Sequence, residues 1–300
     1  MDWKTTRIEA LLEQALIEDR AASDWTTNLT IDPELRATAT ILARQEMVVC
    51  GLGAIPRFFE IFARLDARPA AHRRYEIVSH PEIFDGVRVH DGQALAVVRH
   101  NARALLSCER VILNLIQHLS GIATATRRYV DAIEGTGTRV LDTRKTIPGL
   151  RVLEKYAVLS GGGTNHRIDL ASGILIKNNH IALGGGVATA VKNALEKRKK
   201  GQRVQVEVRT PAELQDALDH GAEAILLDNM TPAQVAASVA QIRAFLAANP
   251  GRTIPIEASG GIKLENIRSY AETGVDFISV GALTHSAPAA DISMRIVAEE

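Results

Sequence analysis

Four cationic or protonatable side chains are concentrated in one stretch near the middle of the sequence. They are Arg144, Lys145, His166 and Arg167, and the three glycines 161–163 come directly before the second pair. Arginine binds carboxylates through two parallel hydrogen bonds, and lysine adds a compact positive charge. Because the chain as a whole has a net charge of zero, this local concentration predicts a binding site for a small, strongly anionic molecule.

Other candidate residues lie at the ends of short apolar runs further along the chain. Lys177, Glu207 and Asp228 end or nearly end three of these runs. Small-residue loops, Ser259-Gly260-Gly261 and one beginning at Gly281, follow the last two. Paired carboxylates could hold a divalent cation or bind sugar hydroxyls. Glycine loops after the last two strands of an α/β barrel commonly bind phosphate.

Each of these features also has a simpler structural explanation when it is taken singly. A lone Ser-Gly-Gly is more often an ordinary strand–helix turn, by about three to one. Either carboxylate alone could be an ordinary acid at a strand end, and His166 could be a turn histidine. Lys177 closes an apolar run, so we expect a buried lysine that needs a partner or an anionic ligand. His118, His180 and His285 show no pattern beyond a structural role.

The elements that would position these side chains alternate regularly in the second half of the chain. The apolar runs predict strands at 139–142, 174–177, 203–208, 224–228, 254–258 and 276–280. The segments between them predict helices at 149–159, 187–200, 211–219, 231–247 and 263–273. Continuous apolar strands separated by helices indicate a parallel sheet covered on both faces, with its active site at the carboxyl ends of the strands. A full barrel needs about 250 residues, so an incomplete α/β barrel or an open doubly wound sheet fits better.

The first part of the chain does not alternate in this way and predicts an α+β layer domain. Its apolar patterns predict helices at 4–20, 54–65, 102–118 and 122–134, and strands at 37–43, 47–50, 75–78, 87–90 and 94–99. We therefore place an N-terminal domain at 1–117 and the barrel domain at 118–284. The C-terminal segment 285–300 is expected to pack on the N-terminal domain.

The composition excludes several classes of protein. Lysine plus arginine and aspartate plus glutamate both number 35, so the basic bias of proteins that bind nucleic acid or membrane surfaces is lacking. Cys50 and Cys108 match no metal-ligand spacing or disulfide framework, which indicates a reducing compartment. The N-terminal segment lacks a signal-peptide pattern, and no apolar run approaches about 18 residues. We expect a soluble, cytoplasmic protein.

Several long motifs resemble one enzyme family. They are EDRAASDWTT, ARALLSCERVILNLIQHLSGIAT, DTRKTIPGLRVLEKYAVLSGGGTNHR, LIKNNH, VEV at 206–208, LLDNM, EASGGI and ISVGALTHS, in that order. Together they resemble the quinolinate phosphoribosyltransferases, also called nicotinate-nucleotide pyrophosphorylases (carboxylating). The resemblance implies an N-terminal α/β sandwich domain followed by an incomplete parallel α/β barrel of about six strands. It also implies a Mg²⁺-dependent reaction in NAD biosynthesis, in which quinolinate and phosphoribosyl pyrophosphate (PRPP) give nicotinate mononucleotide, pyrophosphate and carbon dioxide.

The same resemblance implies roles for individual residues. The residues implied to bind quinolinate are Arg144, His166 and Arg167, with Lys145 and Lys177 lining the same pocket. Glu207 and Asp228 would face the ribose and its Mg²⁺, and together with the two lysines they form the implied catalytic set. The residues implied to lie at the 5′-phosphate of PRPP are Ser259, Gly260, Gly261 and Gly281. Arg110 looks like a solvated residue of a helix, but the resemblance implies that it reaches the active site of a neighbouring subunit. The functional unit would then be a homodimer, with further assembly into a hexamer left open.

The sequence departs from the family pattern at three places. Gln205 stands where glutamate is usual, and Asn178 stands where an acid is usual. His100-Asn101 replaces a common Gly-Pro. None of these changes removes a residue with an implied role, but two missing acids could alter metal affinity or local pKa values.

Three other functions compete with the implied one. The first is a related phosphoribosyltransferase-like enzyme with a different acceptor, such as the relatives associated with molybdenum uptake. The second is a Schiff-base aldolase that uses Lys145 or Lys177 at a strand end. The third is a non-catalytic protein that keeps the anion pocket. Product assays with several pyridine acids, borohydride trapping and ligand binding without turnover would distinguish them.

Overall fold

The computed structural model describes residues 1–66 and 74–299. The chain folds into two compact units: the first contains 1–125, 156–162 and 287–300, and the second contains 126–155 and 163–286. The helices are α1 (Thr6–Glu18), α2 (Trp25–Thr30), α3 (Ala54–Leu65), α4 (Ala102–Ala132), α5 (Arg151–Ser160), α6 (Asn178–Leu183), α7 (Val187–Lys197), α8 (Pro211–Asp219), α9 (Pro232–Ala248), α10 (Ile267–Ala271) and α11 (Ala282–His285). The strands are β1 (Arg36–Ala43), β2 (Met47–Val48), β3 (Glu76–Val78), β4 (Arg88–Val89), β5 (Ala94–Asn101), β6 (Arg139–Leu141), β7 (Ile174–Ile176), β8 (Val204–Val208), β9 (Ala224–Asp228), β10 (Ile256–Ser259), β11 (Phe277–Ser279) and β12 (Ile292–Ala298). The domain division after residue 117 stays a prediction.

The first unit contains a four-stranded antiparallel sheet in the order β12-β1-β5-β3. Buried and less buried residues alternate along β1, as expected for a strand with one face on a core. Ala37, Ala39 and Ile41 are buried, whereas the intervening threonines are only partly buried. The residues of β12 form a strand of this sheet, pairing with β1 from Ala37↔Ala298 to Ala43↔Ile292.

The prediction of separate helices at 102–118 and 122–134 was wrong, because α4 is one helix of 31 residues. Gly121 lies between the two predicted helices, and glycine is a poor helix former. In the structure this glycine allows a close approach: a Cβ atom added to it would collide with the carbonyl oxygen of Pro288. Gly121 is therefore a packing position within a continuous helix.

The second unit contains a six-stranded parallel sheet in the order β6-β11-β10-β9-β8-β7. Five strands, β7 to β11, follow one another in chain order, which is the winding of an α/β barrel and not of a doubly wound sheet. Within the described residues β6 and β7 do not pair with each other, so they form the two edges of an open seam. An isolated bridge between Leu141 and Thr164 extends the β6 edge. The predicted incomplete parallel α/β barrel is confirmed.

Several details of this unit differ from the predictions. A helix was expected at 263–273, but the observed helix α10 is shorter and begins at Ile267. A turn separates it from the Ser259-Gly260-Gly261 loop. The short helices α6 and α11 had no periodic signal. None of the six residues of α6 is buried, so this helix has no apolar face packed on the core from which it could have been predicted.

Lys177 is also placed differently from the prediction. Strand β7 ends at Ile176, and Lys177 is exposed at the start of α6. The expectation of a buried lysine was wrong because β7 is an edge strand at the open seam, where Ile174 and Leu175 are themselves only partly buried. Within residues 1–66 and 74–299, no helix combines the length and the apolar character needed to cross a membrane.

Candidate active site

A pocket of about 810 Å³ lies at the carboxyl ends of the barrel strands, which is where α/β barrels place their active sites. Its volume is in the range of small-molecule sites. All the residues singled out from the sequence except Arg110 line this pocket. They are Arg144, Lys145, His166, Arg167, Lys177, Glu207, Asp228, Ser259, Gly260, Gly261 and Gly281.

The sheet order separates these residues by charge. Arg144 and Lys145 follow β6, and Lys177 follows β7, so cations flank both sides of the seam. Glu207 and Asp228 lie at the ends of β8 and β9, and the glycine loops follow β10 and β11. Six lysine or arginine side chains and three carboxylates line the pocket. The excess positive charge suits an anionic ligand, and the carboxylates provide a local negative region within it.

A buried ion pair holds the backbone around His166. Lys155 and Asp142 are 1% and 0% exposed, and their side chains form a salt bridge. The Lys155 Nζ also donates a hydrogen bond to the carbonyl oxygen of His166 at 3.1 Å. The backbone N–H of His166 donates to Asp142 Oδ1 at 2.8 Å. A buried charged pair with these further hydrogen bonds fixes the position of the segment that carries His166 and Arg167.

The hydrogen bonds of the His166 ring determine its tautomer. The backbone N–H of Arg167 donates to His166 Nδ1 at 2.7 Å, so this nitrogen is the acceptor. His166 Nε2 therefore carries the proton and lies 3.2 Å from Glu257 Oε2. The same carboxylate oxygen accepts a hydrogen bond from Gln205 Nε2 at 2.8 Å. Gln205, noted above as a departure, thus gives Glu257 a neutral donor in place of a second acid.

The two arginines beside the seam retain capacity for an anion. Burial and the like charge of Arg144 lower the pKa of the Arg167 guanidinium, although it remains a cation. Arg167 Nη1 donates to the carbonyl oxygen of Gly173 at 2.8 Å. Arg144 Nε is buried and, within the described part of the chain, has no hydrogen-bond partner. A bound carboxylate would relieve both the repulsion and the unsatisfied donor.

Glu207 and Asp228 lie on the neighbouring strands β8 and β9. Burial and the nearby Asp228 raise the pKa of Glu207, whereas Lys177 and Arg209 act in the opposite direction. Arg209 follows β8 directly and donates to Asp228 Oδ2 from Nε at 2.9 Å and from Nη2 at 2.8 Å. Its Nη2 is also 3.7 Å from Glu207 Oε1. One guanidinium therefore interacts with both carboxylates.

The same two carboxylates are the candidate metal ligands. Carboxylate oxygens suit Mg²⁺, which is usually held by one or two protein carboxylates and completed by substrate phosphates. Across the described residues, no group of three or more His, Cys, Asp or Glu side chains could hold a metal ion. The donor types therefore fit a Mg²⁺ ion that arrives with a phosphorylated substrate, and do not fit a metal cage made by the protein alone.

The glycine loops bring backbone close to the pocket. Gly260 and Gly261 have φ angles of +95° and +64°, which favour glycine. A Cβ atom on Gly260 would also lie 2.8 Å from the backbone nitrogen of Asn229. At Gly281 a Cβ atom would lie 3.0 Å from Lys145 Cδ. The absence of side chains at these positions leaves room for a phosphate beside the main chain.

Arg110 is the one predicted site residue outside this pocket. It lies exposed on α4 in the first unit and borders a separate cavity of about 400 Å³. The other residues lining that cavity include Asp24, Trp25 and Ser107. The role of Arg110 in a neighbouring subunit's active site stays a prediction.

Several pocket or supporting residues were missed by the sequence analysis. They are Asp142, Lys155, Gln205 as a Glu257 partner, Arg209, Glu257, Lys263 and His285. Arg209 and Asp142 directly follow strands, so the strand-end rule could have identified them. Lys155 lies on a helix that reads as amphipathic, and its buried partner is visible only in three dimensions. His285 lines the pocket, although its sequence context suggested only a structural role.

Comparisons with known proteins agree with this architecture. The family descriptions "Quinolinate phosphoribosyl transferase, N-terminal domain" and "Quinolinate phosphoribosyl transferase, C-terminal domain" match residues 24–120 and 122–295. A probable nicotinate-nucleotide pyrophosphorylase [carboxylating] of Bacillus subtilis is 40% identical over 290 residues, covering 97% of this chain and 93% of the relative. The nicotinate-nucleotide pyrophosphorylase [carboxylating] of Mycobacterium leprae is 41% identical over 289 residues, covering 95% of each. The crystal structure of NadC from Streptococcus pyogenes superposes with a TM-score of 0.89 at 35% identity, covering 100% of both chains. The chain therefore belongs to the quinolinate phosphoribosyltransferase family.

Proposed function

We propose that this protein transfers the phosphoribosyl group of PRPP to quinolinate with decarboxylation, giving nicotinate mononucleotide, pyrophosphate and carbon dioxide in NAD biosynthesis. The observation that supports this most strongly is one pocket that combines cations beside the seam with the carboxylates Glu207 and Asp228 on the strands between. Quinolinate carries two carboxylates, which a neutral pocket would reject. The ribose carbon that reacts gains positive charge, which carboxylates stabilise.

The cationic side would bind and orient quinolinate. Arg144 and Arg167 offer planar guanidinium groups for its carboxylates, and Lys145 and Lys177 contribute further positive charge at the pocket wall. His166, whose Nδ1 accepts from the Arg167 N–H and whose Nε2 lies 3.2 Å from Glu257 Oε2, would contact quinolinate from the same side of the pocket. Holding both substrates in one pocket converts a reaction between two free molecules into a local step.

The carboxylate side would act on PRPP. The pyridine nitrogen of quinolinate forms a bond to ribose C1 while the bond from C1 to the pyrophosphate oxygen breaks. Glu207 and Asp228 stabilise the positive charge that develops on the ribose. Ser259, Gly260, Gly261 and Gly281 would receive the 5′-phosphate. Mg²⁺, held by Glu207 and Asp228 and by the substrate, would neutralise charge on the departing pyrophosphate.

Carbon dioxide then leaves from the ring carbon next to the quaternised nitrogen. The positively charged ring accepts the electron pair of the breaking bond, and a proton adds to that carbon. The product, nicotinate mononucleotide, keeps one ring carboxylate and the phosphate. It therefore remains an anion that the cationic pocket can hold until release. We place the enzyme in the cytoplasm, in line with its two free cysteines, Cys50 and Cys108, which suit a reducing compartment.

The test is product formation from quinolinate, PRPP and Mg²⁺, measured as nicotinate mononucleotide and carbon dioxide. We expect turnover with quinolinate and none with nicotinate, which lacks the second carboxylate. Lys145→Ala and Arg167→Ala should each nearly abolish product while far-ultraviolet circular dichroism stays unchanged. Wild-type turnover by either variant would contradict the site assignment, and turnover with nicotinate alone would point to a different acceptor.

We further propose that two subunits share each active site, with Arg110 of one subunit completing the pocket of the other. Mixing the inactive variants Arg110→Ala and Lys145→Ala under conditions of subunit exchange would then restore activity. Random pairing makes half of the dimers hybrid with one intact site each, so about a quarter of wild-type activity is expected. No recovery after proven subunit exchange would contradict the shared site.

A further inference from the structure

Arg209 has an unusual place among the charged residues of the pocket. It directly follows β8, and its guanidinium lies on the Glu207–Asp228 pair through the contacts described above. Asp228 Oδ2 also accepts a hydrogen bond from Asn229 Nδ2 at 2.9 Å. This oxygen therefore receives three N–H groups, which leaves little capacity for another cation.

The backbone of Arg209 is fixed, whereas its side chain reaches solvent. The backbone N–H donates to Glu213 Oε2 at 2.7 Å, at the start of α8. The Arg209 side chain is 49% exposed, compared with 11% for Glu207 and 13% for Asp228. The carboxylates are thus held within the pocket wall, and the guanidinium can leave them toward solvent without unfolding any element.

A guanidinium and a divalent cation use the same carboxylate oxygens. For a metal ion to coordinate Asp228 through the oxygen that Arg209 occupies, the two N–H···O bonds must first be broken. Without either cation, two close carboxylates would repel each other. We propose that Arg209 is a resident cation that competes with divalent metal for the Glu207–Asp228 pair and lowers its metal affinity while no substrate is bound. The inference rests on the proposed function for its assignment of the metal to this pair.

Metal binding in the absence of substrates tests this directly. Mn²⁺ can be titrated into the full-length protein, with free Mn²⁺ followed by electron paramagnetic resonance. We expect Arg209→Gln to bind Mn²⁺ up to about fivefold more tightly than the wild type, the upper end of the range for loss of a partly exposed ion pair. Arg203→Gln is the matched control, because Arg203 is an exposed arginine at the opposite end of the same strand. This control should leave the affinity unchanged.

Two further variants keep the outcome unambiguous. Arg209→Lys retains the charge but loses the fork of N–H groups, so it should fall between the wild type and Arg209→Gln. Adding Asp228→Asn to Arg209→Gln should remove the gain. Equal, weaker or undetectable Mn²⁺ binding by Arg209→Gln would overturn the competition, as would an equal gain in Arg203→Gln. The proposed function is tested separately by product formation in the wild type, so the two can fail independently.

Discussion

The buried Lys155–Asp142 pair allows one prediction to be worked out in detail. Lys155→Met keeps the length of the side chain and removes its charge, which leaves the Asp142 carboxylate buried without its cation. Removing one partner of a buried ion pair typically costs about 3–5 kcal/mol. Since natural proteins have unfolding free energies of about 5–15 kcal/mol, the variant should still fold but with a markedly lower stability.

The same change should also impair activity through His166. Lys155 donates to the carbonyl oxygen of His166, and Asp142 accepts from its N–H, so the variant loses one anchor and disturbs the other. A misplacement of about 1 Å at an active site can cost about a hundredfold in rate. We expect kcat/KM for quinolinate to fall by roughly ten- to a hundredfold in the protein that remains folded.

A double-mutant cycle measures the pair itself. Lys155→Met, Asp142→Asn and the double variant are compared by urea unfolding followed with far-ultraviolet circular dichroism. The double variant should be more stable than the sum of the single losses predicts, with a coupling of about 1–3 kcal/mol. Lys192→Met, an exposed lysine on α7, is the control and should change stability by less than about 0.5 kcal/mol. A loss below about 1 kcal/mol for Lys155→Met, with additive effects in the cycle, would refute the reasoning.

Three other predictions concern single positions. Gly260→Ala should cost about 2–3 kcal/mol of stability and most PRPP binding, because its φ of +95° and the backbone of Asn229 both oppose a Cβ atom; a normal unfolding midpoint would contradict it. Gly281→Ala should leave stability nearly unchanged and lower kcat, because the atoms nearest its Cβ atom belong to the side chains of Lys145 and His285, which can shift; unchanged kinetics would be the contrary result. Burial raises the pKa of Asp24, but the hydrogen bonds that it accepts at the start of α2 outweigh burial and lower the pKa below 3.8. The stabilisation by the Asp24 carboxylate is therefore complete above pH 3.8 and is lost as pH falls through the lowered pKa. The wild type should be about 1 kcal/mol more stable than Asp24→Ala at neutral pH, and this difference should disappear in acid. A difference that persists in acid would argue against the carboxylate as its source.

Much of the barrel and its pocket could be predicted from the sequence. Short apolar runs separated by amphipathic segments indicate a parallel sheet, because helices cover both faces of such a sheet and its strands are therefore apolar throughout. Residues that follow these runs meet at one edge of the sheet whatever the strand order is, so Arg144, Lys177, Glu207 and Asp228 could be grouped from sequence position alone. The long motifs added the family and the substrates that the resemblance implies.

Helix continuity and strand exposure required the tertiary structure. Gly121 looks like a break because glycine weakens helices locally, yet the chain continues as a helix where another backbone segment needs the space. Lys177 looks buried because its strand is apolar, yet the strand is at an edge of the open seam. Both outcomes depend on neighbours that are distant in sequence.

The contacts between charged groups were also decided only by the tertiary structure. Composition and spacing identify which cations and acids are present, but a hydrogen bond depends on register and rotamer to within a fraction of an ångström. Only the fold buries Lys155 against Asp142 and directs the Nε2–H of His166 toward Glu257. Only the fold lays Arg209 across two carboxylates for which the sequence suggested a divalent cation or sugar hydroxyls. The sequence by itself therefore determined the chemical groups of this site, and the packing of the barrel determined how those groups are paired.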